Sequence, residues 1–497
     1  MLEVKNITKV FPGVKALDDV SIKFERGKVH GVLGENGAGK STLVKIINNI
    51  HEPEQGELFW EGENLLENED LLEKVSYVPQ EVNLFENMTV AENIVLPFDE
   101  INYDDVLVRQ KSLQELAEFW IDKLNIEADP DQLIKETSVT DKQMIQIGRA
   151  LSHSDYEVII FDEPTTSLDQ QGKEKLFEII HDLKNEDVVV IYISHKLEEL
   201  FEIGDEVTVL RDGMKVGHSS IEKTDKNWMV KKMSGKEIDE KQNYRPETPK
   251  DKVLLNVENL TGMGFANVSF ELRAGEILGF AGIVGAGRTE IMQTIFGYLP
   301  AVSGKVQMNG QDWKFGNTNY SVAQGLFYLP EDRKDYGILP NLSVKNNIST
   351  SIIDQLTSAG FINISKETSL AHDIVESYQI KTASLGKKIK NLSGGNQQKT
   401  ILGRTMSCEP SVVIFDEPTK GIDIATKEEI YGLMKDLAEE KEIGIIFVSS
   451  ELEELMKCAN RIITINEGRI TGEFNAERVN KKEILAKITK NVEHNKN

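Results

Sequence analysis

An internal repeat constrains this chain more than any other feature. Its 497 residues carry the same motifs twice, so that Arg288 follows Lys40 by 248 positions and Glu417 follows Glu163 by 254. Length alone would suggest about three domains, but a repeat at half the chain length overrides that estimate. We therefore expect two homologous domains, each long enough to bury a core of its own.

Each half opens with the same succession of local patterns. Strand-like segments, VSIKFERGKVHGVLG at 20–34 and VSFELRAGEILGFAG at 268–282, run directly into a glycine-rich loop and then a helix-like segment. Later in each half an apolar run ends in two acids, VIIFDE at 158–163 and VVIFDE at 412–417. Such runs are typical of buried parallel strands. The sequence therefore predicts two doubly wound α/β domains of the phosphate-loop NTPase type.

Amphipathic stretches predict a helical subdomain within each domain. Apolar faces at helical spacing are formed by Leu113, Leu116, Trp120 and Leu124 in the first half and by Leu370, Ile374 and Tyr378 in the second. Core packing explains these faces better than a binding site does. Because the stretch between the halves is polar, we place the domains at 1–235 and 253–497 with a linker at 236–252.

Composition narrows the possible partners. The chain has 57 basic and 82 acidic residues, a formal net charge of −25, whereas nucleic-acid-binding domains normally carry a basic patch. We therefore expect no nucleic-acid partner. The two cysteines, Cys408 and Cys458, suit a reducing compartment rather than a disulfide framework. Neither a signal peptide nor an apolar run of about 18 residues is evident, so we expect any membrane role to act through partner subunits.

The first glycine-rich loop has the pattern of a phosphate-binding loop. It reads GENGAGKS at 34–41 and lies between a predicted strand and a predicted helix. Its glycines allow backbone N–H groups to point at phosphates, Lys40 would reach the β- and γ-phosphates, and the Ser41 hydroxyl would bind Mg²⁺. For this motif alone, a glycine-rich turn without a ligand is the simpler alternative.

Two acids at the end of a predicted buried strand argue against that alternative. Asp162 is placed to hold Mg²⁺ through water, as the corresponding acid does in other phosphate-loop proteins. Glu163 beside it is placed to act as general base on the attacking water. The acids could instead cap a strand end, but Pro164 and the repeat favour the catalytic interpretation.

From Asp-Glu-Pro-Thr onward the chain resembles the ATP-binding-cassette (ABC) ATPases, and the resemblance covers nearly all of it. It implies that Gln80 senses the metal and contacts a membrane subunit, and that Asp169 is the aspartate of the family's D-loop. It also implies that His195 hydrogen-bonds the γ-phosphate and that Phe11 stacks on adenine. ATP and Mg²⁺ are the implied cofactors.

The second half carries an intact family signature motif, LSGGN at 392–396. Backbone N–H groups at a helix start form an anion site, and glycines let the backbone approach the phosphate closely. The first half reads TSVTD at 137–141, where stiff Val139 and Thr140 replace both glycines and Asp141 adds a negative charge. The first-half signature is therefore predicted to be damaged.

In ABC ATPases the nucleotide lies between the loop of one domain and the signature of the other, which defines the expected site. Its implied catalytic residues are Lys40, Gln80, Glu163 and His195, and its implied metal ligands are Ser41, Gln80 and Asp162. The implied nucleotide-binding residues are Phe11, Gly34, Glu35, Asn36, Gly37, Ala38, Gly39, Lys40, Ser41, Thr42, Ser393, Gly394, Gly395 and Asn396.

The second glycine-rich loop has lost parts of its own. It reads GIVGAGRT at 282–289, and the planar guanidinium of Arg288 does not substitute for a compact ammonium. Glu331 replaces the metal-sensing glutamine, Ser450 replaces the histidine, and Asn259 is assigned the position of the adenine-stacking aromatic. The predicted degenerate site comprises Gly282, Gly285, Gly287, Arg288, Thr289, Glu331, Asp416, Glu417, Ser450 and, from the first half, Ser138.

In the expected pairing of the two domains, the losses of both halves fall on the same one of the two nucleotide sites. The intact loop of the first half would face the intact signature of the second, and the two damaged motifs would face each other. Removing a single preorganised electrostatic group costs roughly 10²–10³ in rate. The sequence therefore predicts one hydrolysing site and leaves open whether the second site binds nucleotide without turnover.

The departures in the second half resemble one branch of the family. The segments GIVGAGRTE, YLPEDRK, NLSGGNQQK, DEPTKGID and VSSELEE together resemble tandem ABC ATPases of bacterial monosaccharide importers of the ribose and galactoside type. The resemblance implies two transmembrane permease subunits, an extracytoplasmic sugar-binding protein, no direct contact with the sugar and a peripheral location at the cytoplasmic face. We expect residues 81–92 and the counterpart after Glu331 to form the docking surface.

Two alternatives stay open. A nucleoside importer would have a similar tandem layout, and its ATPase would not touch the cargo either. A soluble tandem ABC protein acting on ribosomes would carry two intact loop lysines, two intact signatures and a long basic linker, none of which this sequence contains.

Overall fold

The computed structural model describes residues 1–12, 14–35, 37–95, 106–152, 156–194, 196–235, 242–247, 249–283 and 285–489, with backbone only at 106–113 and 424. The chain divides into two compact units, Met1–Ile238 and Asp239–Asn497. Within the described ranges no helix has the length and hydropathy needed to cross a membrane.

The first unit alternates strands and helices along the chain. Its elements are β1 (Leu2–Phe11), β2 (Val14–Phe24), β3 (Val29–Leu33), α1 (Lys40–Ile47), β4 (Gln55–Trp60), β5 (Glu63–Asn64), α2 (Glu69–Leu72), β6 (Val75–Val78), α3 (Val90–Val95), α4 (Val106–Leu124), α5 (Val139–Leu151), β7 (Val158–Asp162), α6 (Gln170–Asn185), β8 (Val189–Ile193), α7 (Leu197–Ile203), β9 (Glu206–Arg211), β10 (Met214–Ser220) and α8 (Lys226–Ser234).

The strands of the first unit form two sheets. A six-stranded sheet has the order β10-β9-β3-β8-β7-β6, and it is parallel except for the antiparallel pairing of β10 with β9. Every residue of β3, β7 and β8 is buried, which confirms the prediction of buried parallel strands. Helices cover this sheet, so the α/β fold predicted from the sequence is confirmed.

The second sheet of this unit is antiparallel, in the order β2-β1-β4-β5, and it was not predicted from the sequence. Its buried side chains, including Ile7, Leu17 and Phe24, share one core with α1 and with Val32 and Ile160 of the parallel sheet. This packing fixes α1, and therefore the glycine-rich loop before it, against the face of the parallel sheet that carries Val32 and Ile160.

The predicted helical subdomain of the first unit consists of α3, α4 and α5. Trp120 and Leu124 on α4 are buried, as their helical spacing predicted. Helix α5 approaches α4 closely at Gly148, where an added Cβ would lie 2.8 Å from a methyl carbon of Leu124. A larger residue at position 148 would therefore separate these helices.

The second unit repeats this order of elements. They are β11 (Val253–Gly262), β12 (Phe265–Arg273), β13 (Ile277–Ala281), α9 (Arg288–Phe296), β14 (Ala301–Met308), β15 (Gln311–Asp312), α10 (Thr318–Ala323), β16 (Leu326–Leu329), α11 (Val344–Ser349), α12 (Ile353–Leu356), β17 (Thr357–Ser358), β18 (Phe361–Ile362), α13 (Ile364–Ser377), α14 (Gly394–Met406), β19 (Val412–Asp416), α15 (Ile424–Lys441), β20 (Gly444–Val448), α16 (Leu452–Cys458), β21 (Arg461–Asn466), β22 (Arg469–Asn475) and α17 (Lys481–Thr489).

The sheets of the second unit match those of the first. Its six-stranded sheet runs β22-β21-β13-β20-β19-β16, and its antiparallel sheet runs β12-β11-β14-β15. In its helical subdomain Gly403 on α14 takes the place of Gly148, because a Cβ there would lie 2.3 Å from a methyl carbon of Ile374. The second unit also contains a wide helical turn at Arg333–Gly337 and the short β17–β18 hairpin.

The described part of the segment between the halves packs onto the second unit. Tyr244 is 6% exposed and belongs to the core of that unit. The Arg245 guanidinium donates to the carbonyls of Ala459, at 2.6 Å, and Met456, at 2.8 Å. Residues 242–247, which the sequence analysis places in the linker, are therefore held by side-chain contacts to the second unit.

Candidate active site

The glycine-rich loop of the first unit connects β3 to α1. Its lysine is the first residue of α1, is 7% exposed, and donates from Nζ to the carbonyl oxygens of Gly34 at 2.7 Å and Glu35 at 3.2 Å. These carbonyls hold the Lys40 ammonium at the mouth of the loop. Ser41 and Thr42 follow on the first turn of the helix, and Asn36 lies outside the described residues.

The glycines of this loop are required by its backbone. Gly37 and Gly39 have φ of +89° and +104°, in the left-handed region that favours glycine. At Gly39 an added Cβ would also lie 2.5 Å from the carbonyl oxygen of Ala16. At Gly34 it would lie 2.5 Å from the carbonyl oxygen of Leu210. The backbone of this loop therefore makes the tight turns that a phosphate cradle needs.

The fold brings the acids and the glutamine to the same edge as the loop, because carboxyl ends of parallel strands meet at one edge of a sheet. Asp162 ends β7, and Gln80 comes two residues after β6. The Gln80 amide donates from Nε2 to the Glu163 carboxylate at 2.9 Å. Three of the predicted catalytic residues, Lys40, Gln80 and Glu163, therefore lie around this edge.

The two acids have different surroundings. Asp162 is 4% exposed and accepts a hydrogen bond from the Tyr77 hydroxyl at 3.3 Å. Burial, together with the neighbouring charge of Glu163, raises the pKa of Asp162 to about 6. Glu163 is half-buried and has φ of +49°, a strained conformation of the kind that is stored at functional sites.

The residues present fit Mg²⁺ and a nucleotide phosphate. A cation beside Asp162 would relieve the cost of burying that carboxylate next to a second acid. Among the described residues there is no cluster of three or more His, Cys, Asp and Glu side chains able to hold a metal. Mg²⁺ in nucleotide sites is normally held by one or two carboxylates plus phosphate oxygens, so Ser41, Gln80 and Asp162 would be the residues to hold it.

Residues that were not predicted from the sequence support this site. Tyr77, on β6, hydrogen-bonds Asp162, and a tyrosine three positions before Gln80 and Glu331 in both halves is the signal that could have revealed it. Behind the site, buried Glu199 accepts hydrogen bonds from Thr165 at 2.6 Å and from Ser194 at 2.8 Å. Glu199 thereby ties the turn after Glu163 to the end of β8. His195, the next residue after Ser194, lies outside the described residues.

The D-loop aspartate has a local role in both units. Asp169 caps the start of α6, where its side chain accepts from the N–H of Gly172 at 2.8 Å. Asp423 caps α15 in the same way, accepting from the N–H of Thr426 at 2.9 Å. These caps fix the start of each helix.

In the second unit the loop side chain makes different bonds. The Arg288 guanidinium donates to the Ser449 carbonyl at 2.7 Å and to the Glu417 carboxylate at 3.1 Å, and both charged side chains are under 10% exposed. Ser450 donates to the other Glu417 oxygen at 3.2 Å. Burial raises the pKa of Glu417, and the Ser450 hydrogen bonds and the Arg288 charge offset part of that rise. Arg288 and Ser450, which stand where the first unit has a lysine and a histidine, therefore both bind the Glu417 carboxylate.

Asp416 and Glu331, the other two acids of the predicted degenerate site, also have partners in the structure. Asp416 is fully buried, accepts from the Tyr328 hydroxyl at 2.7 Å, and has its pKa raised by burial. Glu331, at the position of Gln80, forms an ion pair of 2.5 Å with Lys420. A lysine thus binds the carboxylate at the position where the first unit has an amide.

The two signature segments differ at the helix start. In the second unit Ser393 precedes α14 and makes no side-chain bond to the backbone of the helix, while its Oγ accepts from the Asn396 amide at 2.8 Å. In the first unit Ser138 accepts from the backbone N–H of Asp141 at 3.0 Å and donates to its carboxylate at 2.6 Å. The Ser138 side chain therefore caps α5, whereas the Ser393 side chain does not cap α14.

Packing within the second unit gives another reason for both signature glycines. A Cβ at Gly395 would lie 2.2 Å from a methyl carbon of Thr426 on α15, and a Cβ at Gly394 would lie 2.5 Å from the Arg333 guanidinium. In the first unit Thr140 occupies the position of Gly395, where its hydroxyl donates to the Ser167 carbonyl at 3.4 Å. A signature without glycine therefore requires a different local packing.

The assignment of Asn259 to the position of Phe11 is wrong. Asn259 corresponds to Asn6, because both have positive φ, 49° and 52°, and both donate a backbone N–H to a serine of the next strand. Ten positions separate Asn6 from Ala16. Only five separate Asn259 from Gly264, the residue that corresponds to Ala16 in the second unit. The shorter hairpin lacks the segment that carries Phe11, which is half-buried at the end of β1.

Comparison with known proteins agrees with this architecture. The family model described as "ABC transporter" matches residues 17–166 and 265–420. The chain is 41% identical, over 98% of its length and 96% of the relative's, to a putative ribose/galactose/methyl galactoside import ATP-binding protein 1 of Agrobacterium fabrum. It is 39% identical, over 98% of both chains, to the ribose import ATP-binding protein RbsA of Caldanaerobacter subterraneus.

A third relative gives the same result. The chain is 40% identical, over 98% of its length and 94% of the relative's, to a putative ribose/galactose/methyl galactoside import ATP-binding protein of Halalkalibacterium halodurans. Both halves match the family model separately, and both contain the phosphate loop and the strand-end acids described above. The chain belongs to the ABC transporter family, as an ATPase with two ATP-binding-cassette domains in tandem.

Proposed function

We propose that this ATPase powers import of a monosaccharide of the ribose or galactoside class, with one hydrolysing site. That site would combine the loop of the first unit with the signature motif of the second. The observation that carries the one-site proposal is the buried ion pair of Arg288 with Glu417. A base held by a cation of its own unit is hindered from accepting a proton.

At the proposed site the chain's own residues would act as follows. Lys40 leaves the loop carbonyls and binds the β- and γ-phosphates, and Phe11 packs against the adenine. Glu163 accepts the proton of the attacking water, and Gln80, which donates to Glu163 at 2.9 Å, orients that carboxylate. His195, Ser393 and the N–H groups of α14 bind the γ-phosphate. Bound Mg²⁺ would supply charge neutralisation on the phosphate oxygens.

The cargo class is proposed from similarity. Relatives that cover 98% of this chain are named for ribose, galactose and methyl galactoside import. We therefore propose two transmembrane permease subunits, an extracytoplasmic sugar-binding protein and a location at the cytoplasmic face of the membrane. Residues 81–92 would dock on the permease, and this stretch exposes the apolar side chains of Val82 and Phe85.

A matched pair of signature variants tests the single site. Ser393→Arg places a bulky cation in the intact signature, and Ser138→Arg places the same residue in the damaged one. In the full transporter reconstituted in liposomes, we expect Ser393→Arg to abolish steady-state ATP turnover and Ser138→Arg to leave most of it. Equal losses would contradict the one-site proposal. Uptake of ribose and galactose against uptake of nucleosides in the same liposomes tests the cargo class.

A further inference from the structure

A buried carboxylate on α7 joins the chain segments at the ends of strands β7 and β8. Glu199 is 2% exposed, and its two oxygens accept hydrogen bonds from hydroxyl groups. The Thr165 hydroxyl donates to one oxygen at 2.6 Å, and the hydroxyls of Tyr192 and Ser194 donate to the other at 2.8 Å each. Because Thr165 lies two residues after Glu163, this carboxylate holds the turn that follows the proposed general base.

The backbone of Glu163 requires such support. Its φ of +49° is a conformation that a residue other than glycine keeps only where the surrounding structure holds it. The Glu163 N–H donates to the carbonyl of Ile193 at 2.9 Å, and the Glu163 carbonyl accepts from the Thr166 hydroxyl at 3.1 Å. Both partners are sequence neighbours of residues that donate to Glu199. The Glu199 carboxylate therefore fixes both segments that hold the backbone of Glu163.

Lys196 adds a counter-charge to this cluster in the first unit. Its Nζ lies 3.5 Å from a Glu199 oxygen and donates to the Thr165 hydroxyl at 3.3 Å. A buried carboxylate is costly unless it is paired and hydrogen-bonded, and Glu199 has both kinds of partner. Lys196 follows His195 directly in the sequence. The cation that compensates Glu199 therefore belongs to the segment that carries the proposed γ-phosphate-binding histidine.

The second unit keeps the carboxylate but takes its cation from a different element. Glu454 accepts from the hydroxyls of Thr419, at 2.7 and 2.9 Å, and Ser449, at 2.8 Å. Its ion pair is with Lys427 on α15, at 2.8 Å, and Glu451 stands at the position of the first-unit lysine. The hydroxyl bonds are common to both units, whereas the cation comes from the strand-end segment in the first unit and from a helix in the second.

We propose that Glu199 is a positioning residue for ATP hydrolysis, which keeps Glu163 in place through Thr165 and Ser194. This role rests on the proposed function, in which Glu163 is the general base of a single hydrolysing site. A general base must lie within hydrogen-bond reach of the attacking water, so a small displacement of its backbone lowers the rate of the chemical step. None of the bonds that the structure describes for Glu199 involves the glycine-rich loop, so ATP binding should change little.

The test compares matched variants of the two units in the assembled transporter. Glu199→Ala and Glu454→Ala each remove a buried carboxylate that holds the same pair of segments in its unit. The kcat and KM for ATP are measured by phosphate release, at a temperature where calorimetry shows both variants folded. We expect Glu199→Ala to lower kcat by about tenfold to a hundredfold with little change in KM, and Glu454→Ala to keep most of the parent's kcat. Glu199→Gln keeps the size and one acceptor oxygen and should recover part of kcat.

A milder pair of variants covers the case in which the alanine variants do not fold. Thr165→Val and Thr419→Val each remove one hydroxyl that donates to the carboxylate and keep the branched shape of the side chain. Thr165→Val should lower kcat by less than Glu199→Ala does, again with little change in KM. Thr419→Val should match the parent, because its unit is not expected to hydrolyse ATP.

Two outcomes would overturn the role of Glu199. An unchanged kcat in Glu199→Ala, or in Thr165→Val if the alanine variant does not fold, would exclude positioning of the base. A loss expressed in KM rather than in kcat would show that the carboxylate supports nucleotide binding instead.

Failure of the proposed function would give a different result. Glu163→Gln would then keep its turnover, or Glu454→Ala would lose turnover together with Glu199→Ala. An inactive Glu163→Gln variant beside a fully active Glu199→Ala variant refutes only the positioning role.

Discussion

The two glycine-rich loops share a backbone and differ in where their cation binds. Gly37 and Gly285 have φ of +89° and +80°, and Gly39 and Gly287 have φ of +104° and +97°. Lys40 nevertheless donates to carbonyls of its own loop, whereas the side chain at its position in the second unit reaches Ser449 and Glu417 at the sheet edge. The same loop geometry therefore supports two different charge arrangements.

This difference shows why a retained acid does not imply a retained function. Asp416 and Glu417 both survive in the second unit, so a count of motifs would score the base as present. The planar fork of Arg288 binds one oxygen of Glu417, and Ser450 binds the other. The substitutions of lysine by arginine and histidine by serine therefore act on one carboxylate together.

The largest expected effect separates the two cations. Lys40→Ala should lower steady-state ATP turnover of the assembled transporter by about 10³-fold or more, because a preorganised charge at the phosphates is removed. Arg288→Ala should leave most of the turnover, because its site is not expected to hydrolyse ATP. Equal losses from these two substitutions would remove the functional distinction between the loops.

The second prediction separates the two acids. Glu163→Gln should reduce turnover by about 10²–10³-fold, because a general base is lost while size and hydrogen bonding are kept. Glu417→Gln should leave turnover near that of the parent. A phosphate-release assay on both variants measures this, and a large loss in Glu417→Gln would show that the second acid takes part in hydrolysis.

The third prediction concerns stability. Arg288→Ala leaves the Glu417 carboxylate buried without its cation, which typically costs about 3–5 kcal/mol. Calorimetry should show this as earlier unfolding of the second unit. Adding Glu417→Gln to Arg288→Ala should recover part of the loss, since the uncompensated charge is then absent. If the double variant is no more stable than Arg288→Ala, the ion pair does not contribute as the structure indicates.

The smallest expected effect concerns Asp162. Its pKa is about 6 in the folded chain against an ordinary 3.8, so the folded state binds more protons and the free energy of unfolding falls as pH rises between these values. Asp162→Asn removes this term and should stabilise the ligand-free chain at pH 7.5 by up to about 3 kcal/mol. Denaturant unfolding at pH 4 and pH 7.5 measures it. A variant that is no more stable than the parent at pH 7.5 would contradict the raised pKa.

Much of the architecture could be predicted from the sequence because it depends on local patterns. Apolar runs ending in Asp162 and Asp416 predict buried parallel strands, and the structure contains them as β7 and β19. The antiparallel sheet was not predicted, because its pairing of β1 with β4 joins segments about fifty residues apart. The alternation of apolar and polar residues within β1 could not specify β4 as its partner strand.

The misplacement of Asn259 has a similar origin. Residues of the two halves were matched with the offset that relates the two glycine-rich loops. That offset does not hold in the preceding hairpin, because its length differs between the halves. Only the backbone conformation and the N–H to serine bonds at Asn6 and Asn259 reveal the correct correspondence. The site residues near the loops were unaffected, because no insertion separates them from the loop.

The sequence by itself determined the repeat, the two loops, the strand-end acids and the unequal losses, because each is written in a contiguous motif with a fixed spacing. Only the tertiary structure decided what the replaced residues do. Arg288 and Glu417 are 129 positions apart, and Arg333 and Gly394 are 61 apart. Contacts over such separations are set by how strands and helices pack, and burial then gives each charge its consequence.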